Sequence, residues 1–163
     1  MAIKERLNKA SKAKAWYGEM PVESLYTVGI AGEKFFRAIK DEGKFLGTKC
    51  KKCSMVYVPP KIYCERCFEK LDDYVEVAEC GSLESFTCVH IGLDGERLSK
   101  PEIIGLINLD GASTGIIHRL GEVEVEELCM GMRVCAVFKP KNKREGSIND
   151  ILYFKPTKQK PES

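Results

Sequence analysis

A chain of 163 residues, 44% hydrophobic and 31% charged, has room for one domain with a real core plus a small appendage, and is too short for two large domains. It contains no apolar run of about 18 residues, and Met1-Ala2-Ile3-Lys4-Glu5-Arg6 has no apolar signal core, so the sequence predicts a soluble, cytoplasmic protein without a membrane partner. The net charge of +2 hides a segregation: residues 1–14 carry five Lys or Arg against one Glu, residues 139–163 carry seven against three acids, and residues 76–138 hold eleven acids against four bases, a net of −7. Such a body is a poor surface for nucleic-acid phosphates, and the basic ends read as solvated tails or docking segments.

From Ala2 to Lys14, Ile3, Leu7 and Ala10 recur at helical spacing on a Lys-rich background, which predicts a short amphipathic helix with a thin apolar stripe. Trp16-Tyr17-Gly18 and Pro21 interrupt it, and a linker runs to about Ile30. A second helix is expected over Gly32–Gly43, with Phe35, Phe36 and Ile39 on one face and Gly43 as its stop. Lys44–Lys49 reads as a strand that delivers Cys50.

Cys50, Cys53, Cys64 and Cys67 are spaced C-x2-C-x10-C-x2-C, so two short knuckles each bring a pair of thiolates to one tetrahedral zinc ion. The residues between the pairs, Ser54 to Tyr63, alternate and then stiffen at Pro59-Pro60, as a strand returning to the second knuckle would. Two disulfides in a secreted domain are the alternative, but no secretory signal precedes them. Four thiolates leave no open position for water, which favours a structural over a catalytic metal. The other cysteines, Cys80, Cys88, Cys129 and Cys135, read as small buried hydrophobes in a reducing compartment.

Beyond the ribbon the period changes to that of strands, expected over Gly81–Ile91, Glu102–Leu109, Ser113–Leu120, Arg133–Lys139 and Asp150–Phe154, with a helical turn within Glu122–Met132. Gly105 is expected where the second strand bends. Five strands with a helical element between the third and fourth is the layout of an OB-fold, a small Greek-key barrel; an unrelated five-stranded sandwich is the alternative. The expected fold is therefore mainly β: N-terminal helices over 1–43, a rubredoxin-like zinc ribbon over 44–75, a C-terminal five-stranded OB-fold barrel over 76–155 and a basic tail over 156–163.

Catalytic equipment is sparse. His90 and His118 each stand near a strand end outside any nucleophile motif and read as structural histidines. Cys88 shares a strand face with His90, but an apolar strand is a poor setting for a thiolate nucleophile. Ser85 has no local base, and Gly111-Ala112-Ser113-Thr114-Gly115 lacks the following Lys of a phosphate-cradling loop and reads as a hairpin connection. Lys44, Lys61 and Arg119 are the bases that could meet phosphates. Phe35, Phe36, Tyr57 and Phe86 could line an acyl path, with ordinary core packing favoured for at least two of these four.

Phe35-Phe36-Arg37-Ala38, Gly43-Lys44-Phe45-Leu46, the ribbon Cys50–Cys67 with Pro59-Pro60-Lys61, Gly81 to His90, and Gly131-Met132-Arg133-Val134 form a combination that resembles the zinc-ribbon plus OB-fold proteins of the domain-of-unknown-function thirty-five family, over about residues 33–155. The chain departs from that pattern at Lys61, where the family has Arg, at Ser54, where glycine is common, and in residues 1–30, which are additional. The resemblance implies a non-catalytic accessory subunit of a thiolase-superfamily enzyme, in a hetero-oligomer that makes or breaks carbon–carbon bonds beside a coenzyme A thioester. The nucleophile would belong to the partner, while this chain would carry one structural zinc and help form the acyl-CoA site. A nucleic-acid-binding protein is the competing function, and the acidic barrel argues against it.

Overall fold

The computed structural model describes residues 26–92 and 94–157. The helix expected over Ala2–Lys14, with its Ile3, Leu7 and Ala10 stripe, and most of the basic tail over 156–163 lie outside the described residues. Helix α1 spans Gly29–Asp41, and Ala31, Phe35, Ala38 and Ile39 put a buried stripe on one face. Its C-terminal end is closed by Gly43, whose φ of 74° lets its N–H meet the carbonyls of Ala38 and Ile39, both at 3.0 Å. The Arg144 guanidinium lies 3.4 Å from the Ile39 carbonyl and 2.7 Å from that of Lys139, a cation at the negative end of the helix.

Strands β1 (Phe45–Lys49), β2 (Val56–Tyr57) and β3 (Asp73–Val77) form an antiparallel sheet in the order β2-β1-β3. The returning segment is thus only a two-residue strand, followed by Val58 and the Pro59-Pro60 pair. The third strand, β3, has no counterpart in the sequence reading, and the boundary expected at 75/76 falls inside it.

Strands β4 (Cys80–Ile91), β5 (Arg97–Leu109), β6 (Gly115–Leu120), β7 (Arg133–Phe138) and β8 (Ile151–Pro156) close into a barrel in the order β4-β5-β6-β8-β7. All neighbours are antiparallel except β6 and β8, which run parallel through Leu120 and Phe154. This is the OB-fold connectivity, with a 3-10 turn at Val125–Glu127 as the helical element between β6 and β7. Strand β5 starts five residues earlier than expected, since Arg97 pairs with Ile91 across the hairpin. A Cβ at Gly105 would stand 2.7 Å from Leu83 Cδ1 and 3.2 Å from Leu120 Cδ1, so the glycine makes room for two core leucines inside the barrel.

Helix, ribbon base and barrel share one core. Phe35 and Ile39 of α1, Phe45 of β1, Val58 and Val77 join Leu83, Ile107, Leu109, Val134 and Phe154 in a single cluster. Phe45 is its hinge-pin, stacked on Phe35 at 6.2 Å and on Phe154 at 6.1 Å. The expectation that Cys80 and Cys135 are independent buried thiols is corrected: they lie directly opposite each other where β4 meets β7, with Cα atoms 4.0 Å apart, and form a disulfide. The pairing exists only because the barrel closes, which linear spacing does not reveal. Cys88 is half-buried, but Cys129 is exposed rather than buried. Among the described residues no helix is long and apolar enough to cross a membrane.

Candidate metal centre and its surroundings

The two knuckles are built alike. In the first, Cys50 N–H donates to the Met55 carbonyl at 2.8 Å and Ser54 N–H donates to the Cys50 carbonyl at 2.9 Å; in the second, Cys64 N–H donates to Glu69 at 2.9 Å and Phe68 N–H to Cys64 at 3.0 Å. Both turns need a left-handed residue, and Ser54 (φ 58°) and Phe68 (φ 56°) supply it. Backbone N–H groups consequently face the sulfurs, those of Cys53 and Lys52 toward Cys50 and those of Cys67 and Arg66 toward Cys64.

The four sulfurs lie within 4.8 Å of one another, with Cys50 to Cys67 at 3.4 Å and Cys53 to Cys64 at 3.5 Å. A zinc–sulfur distance of about 2.3 Å implies a tetrahedral edge of about 3.8 Å, so the quartet is a slightly contracted cage that fits one zinc ion. Cys50 and Cys64 are buried and Cys53 and Cys67 half-buried. Four thiols this close do not all ionise alone. Cys64 is drawn down to about 6, first by the Tyr57 hydroxyl, whereas Cys67 is pushed up to about 12 because burial and the neighbouring thiols outweigh the Glu69 N–H. A divalent cation removes that conflict by stabilising every thiolate at once.

Tyr57, Leu71, Cys50 and Cys64 form a separate small core around the cage. Outside it, Lys51 meets Asp72 at 3.1 Å and Lys52 meets Glu69 at 2.7 Å. The ribbon is latched to the barrel by the β5–β6 connection. Val56 N–H donates to Ser113 Oγ at 3.0 Å, Ser113 N–H to the Val56 carbonyl at 2.8 Å, and Thr114 Oγ1 both accepts from Val58 N–H at 2.8 Å and donates to its carbonyl at 3.0 Å. The Gly111–Gly115 segment is therefore a connection with a second task that its sequence does not announce.

The residues considered for an acyl-CoA site differ in their surroundings. Phe35 and Tyr57 are each 1% exposed, so they fill the interior and touch no open surface; Phe36 and Phe86 are half-buried against the main core. Lys44 pairs with Glu76 at 2.9 Å, and Lys61 pairs with Glu65. The backbone of Lys61 is held by buried Thr48, whose hydroxyl accepts its N–H at 2.9 Å and donates to its carbonyl at 3.1 Å, a contact the sequence reading missed. Arg119 lines a cavity of about 460 Å³ with Lys100 against Glu102, Glu122, Glu124 and Glu127, walls that oppose a phosphate. His90 is exposed and makes no hydrogen bond to Cys88 among the described residues. His118 packs edge-on to Phe154 with Nδ1 buried and unpartnered, and burial lowers its pKa.

Ile62, Tyr63 and Phe68 stand exposed on the second knuckle, Phe68 at 81%. They adjoin Arg66 and Lys70 in a segment, residues 44–75, that carries seven bases against four acids.

Two family models match: the rubredoxin-like zinc ribbon domain of ChsH2 over residues 37–72 and the C-terminal OB-fold domain of ChsH2 over residues 74–139. A DUF35 domain-containing scaffold protein of Methanocaldococcus jannaschii is 28% identical over 125 residues, 74% of this chain and 87% of that one. A crystal structure of a DUF35-family protein of unknown function from Sulfolobus solfataricus matches with a TM-score of 0.60 at 29% identity, over 79% of this chain and 87% of that one. The Ltp2-ChsH2(DUF35) aldolase matches with a TM-score of 0.56 at 22% identity, over 76% and 91% respectively, a likeness of fold.

Proposed function

The chain belongs to the DUF35 family of zinc-ribbon plus OB-fold proteins, and from that premise we propose that it is a non-catalytic accessory subunit of a thiolase-like enzyme acting on acyl-CoA thioesters. The relative from Methanocaldococcus jannaschii is called a scaffold protein and the aldolase neighbour pairs ChsH2 with Ltp2, which supports a role in holding a catalytic subunit. The observation that carries the reading is the apolar patch Ile62, Tyr63 and Phe68 beside the metal cage. A large ring held in left-handed backbone at 81% exposure costs stability and contributes nothing to the core, which suits a side chain kept for a partner.

In this reading one structural zinc on Cys50, Cys53, Cys64 and Cys67 shapes the docking tip, and residues 1–40 add to the interface. The catalytic cysteine and histidines belong to the partner. Lys61, with Lys44 and half-buried Phe36, is the set we assign to the acyl-CoA entrance, each Lys as a point charge for phosphate. Metal-binding thiolates must stay reduced, which suits a cytoplasmic location, while the Cys80–Cys135 disulfide points the other way. A nucleic-acid-binding role is the alternative open to a ribbon and an OB-fold, but a barrel at −7 over residues 76–138 repels a phosphate backbone.

The test is co-purification of the chain with thiolase-like proteins, followed by assays of thiolysis and carbon–carbon bond formation or cleavage. The chain alone should turn over no acyl-CoA, the pair should, and Phe68→Asp should weaken the pair by about tenfold or more while leaving zinc in place. Turnover by the isolated chain, lost on Cys88→Ser or His90→Ala, would overturn the accessory role.

A further inference from the structure

Strand β4 is longer than barrel closure requires. Its first residues, Cys80 to Ser82, pair with β7, and Leu83 is held by the 129–132 segment: its N–H donates to the Met132 carbonyl at 2.9 Å, and its carbonyl accepts the Gly131 N–H at 2.8 Å. Beyond Leu83 the strand pairs with β5 alone among the described residues, so one backbone edge of residues 84–91 lies open. Sheets guard such an edge with Lys or Pro, and residues 84–91 contain neither; half-buried Phe86, Cys88 and Val89 and exposed Ile91 make it apolar. Two bulges bracket it. The register against β5 slips between Leu83 and Ser85 and again between Val89 and Ile91, which leaves 85–89 as the continuous stretch. Glu84 and His90, the residues at the two slips, are both exposed and stand at equal distances along the chain from Thr87, so the edge has an acid and a base placed symmetrically about its centre.

We infer that the chain forms a two-fold dimer by antiparallel pairing of β4 with β4 of a second copy, centred on Thr87. Thr87 then faces Thr87, Ser85 faces Val89, Phe86 faces Cys88, and each Glu84 meets the other copy's His90. The same axis brings Ile91, 53% exposed, to the other copy's Leu83, beside the segment that exposes Met130 at 75%. The remaining charges of the hairpin, Asp94, Glu96, Arg97, Lys100 and Glu102, lie in its turn or on β5, across β4 from the open edge. At the other end, residues 129–132 carry no charge, and Arg133, opposite Ser82, is held by Asp110. The contact is the same patch on both copies and closes on itself, and the bulges end the pairing on either side, so it gives a dimer and not a fibre. Under the accessory role proposed above, one dimer carries two docking tips; the pairing itself stands without that role.

Sedimentation of the zinc-loaded full-length chain from about 1 to 100 μM tests this. The chain should dimerise. Thr87→Lys, which sets two like charges face to face at the axis, should raise the dissociation constant by about tenfold or more. Thr87 is exposed, so the variant should keep its zinc and its circular dichroism. In a Cys88→Ser background, Thr87→Cys should give a dimer linked through residue 87 on treatment with oxidised glutathione, because directly opposed residues of antiparallel strands stand about 4.5–5.5 Å apart, within disulfide reach. A chain that stays monomeric throughout this range overturns the proposal, as does a dimer that Thr87→Lys leaves unchanged. A cross-link through native Cys88 with none through Thr87→Cys overturns the pairing centred on Thr87. Amide protection of residues 84–91 that appears only when a catalytic subunit is added overturns the dimer in favour of that partner.

Discussion

The Tyr57 hydroxyl lies 3.2 Å from Cys64 Sγ, with both residues buried. The phenol donates to the sulfur, which draws the Cys64 thiol down to about 6, while the same contact, with burial, pushes Tyr57 up to about 12. Tyr57 is therefore both the centre of the ribbon's small core and a support for one metal ligand.

Tyr57→Phe keeps the ring and removes only that donor. Zinc affinity should fall by about tenfold, measured by competition with a chromophoric chelator, with the circular dichroism of the folded chain unchanged. Equal affinity in the two proteins would show that the hydroxyl does nothing for the metal.

Protein purified without chelators should contain one zinc per chain. Cys64→Ser should lose it and raise amide exchange across residues 50–71, because the ribbon core consists of Tyr57, Leu71 and the cysteines themselves. The barrel, with its own larger core, should stay protected. Iron in place of zinc, seen as a visible absorption band, would contradict the assignment.

Asp150 is fully buried and accepts the N–H groups of Glu145, Gly146 at 2.7 Å and Ser147 at 3.1 Å, with Lys139 at 3.7 Å. Burial pushes its pKa up, but these donors outweigh it and hold the carboxyl below its ordinary value of 3.8. Its stabilisation is thus complete above that value and is lost as pH falls through the lower folded-state pKa. Asp150→Ala should cost about 2–3 kcal/mol at pH 7 in urea unfolding, and the gap to wild type should narrow below about pH 3.8.

Reducing the Cys80–Cys135 bond releases a loop with a sequence separation of 55 residues. The loss should be about 2–4 kcal/mol, measured by thermal unfolding of Cys80→Ser against the oxidised chain, with zinc content unchanged. Equal stability would mean that the bond adds nothing to barrel closure.

What the sequence disclosed, and what it withheld, follows the range of the interactions. The C-x2-C spacing, the Phe35 and Ile39 stripe and the Gly43 stop are local signals, and each appears where local chemistry puts it. Strand β3 pairs with β1 across the 23 intervening residues 50–72 and carries polar Asp73, Tyr74 and Glu76, so neither alternation nor turn residues mark it. The Cys80–Cys135 bond and the Ser113 and Thr114 latch depend on closure of the barrel and on the ribbon's seat against it. Phe68 carried no signal at all: it takes in the second knuckle the left-handed position that Ser54 takes in the first, and an aromatic there hides the symmetry of the two knuckles.

The Ser113 and Thr114 latch and the shared Phe45 core leave no joint between ribbon and barrel. Whatever grips the metal-bearing tip receives the barrel at a fixed bearing, as a surveyor's instrument is carried by its staff. Association then has little internal ordering left to complete.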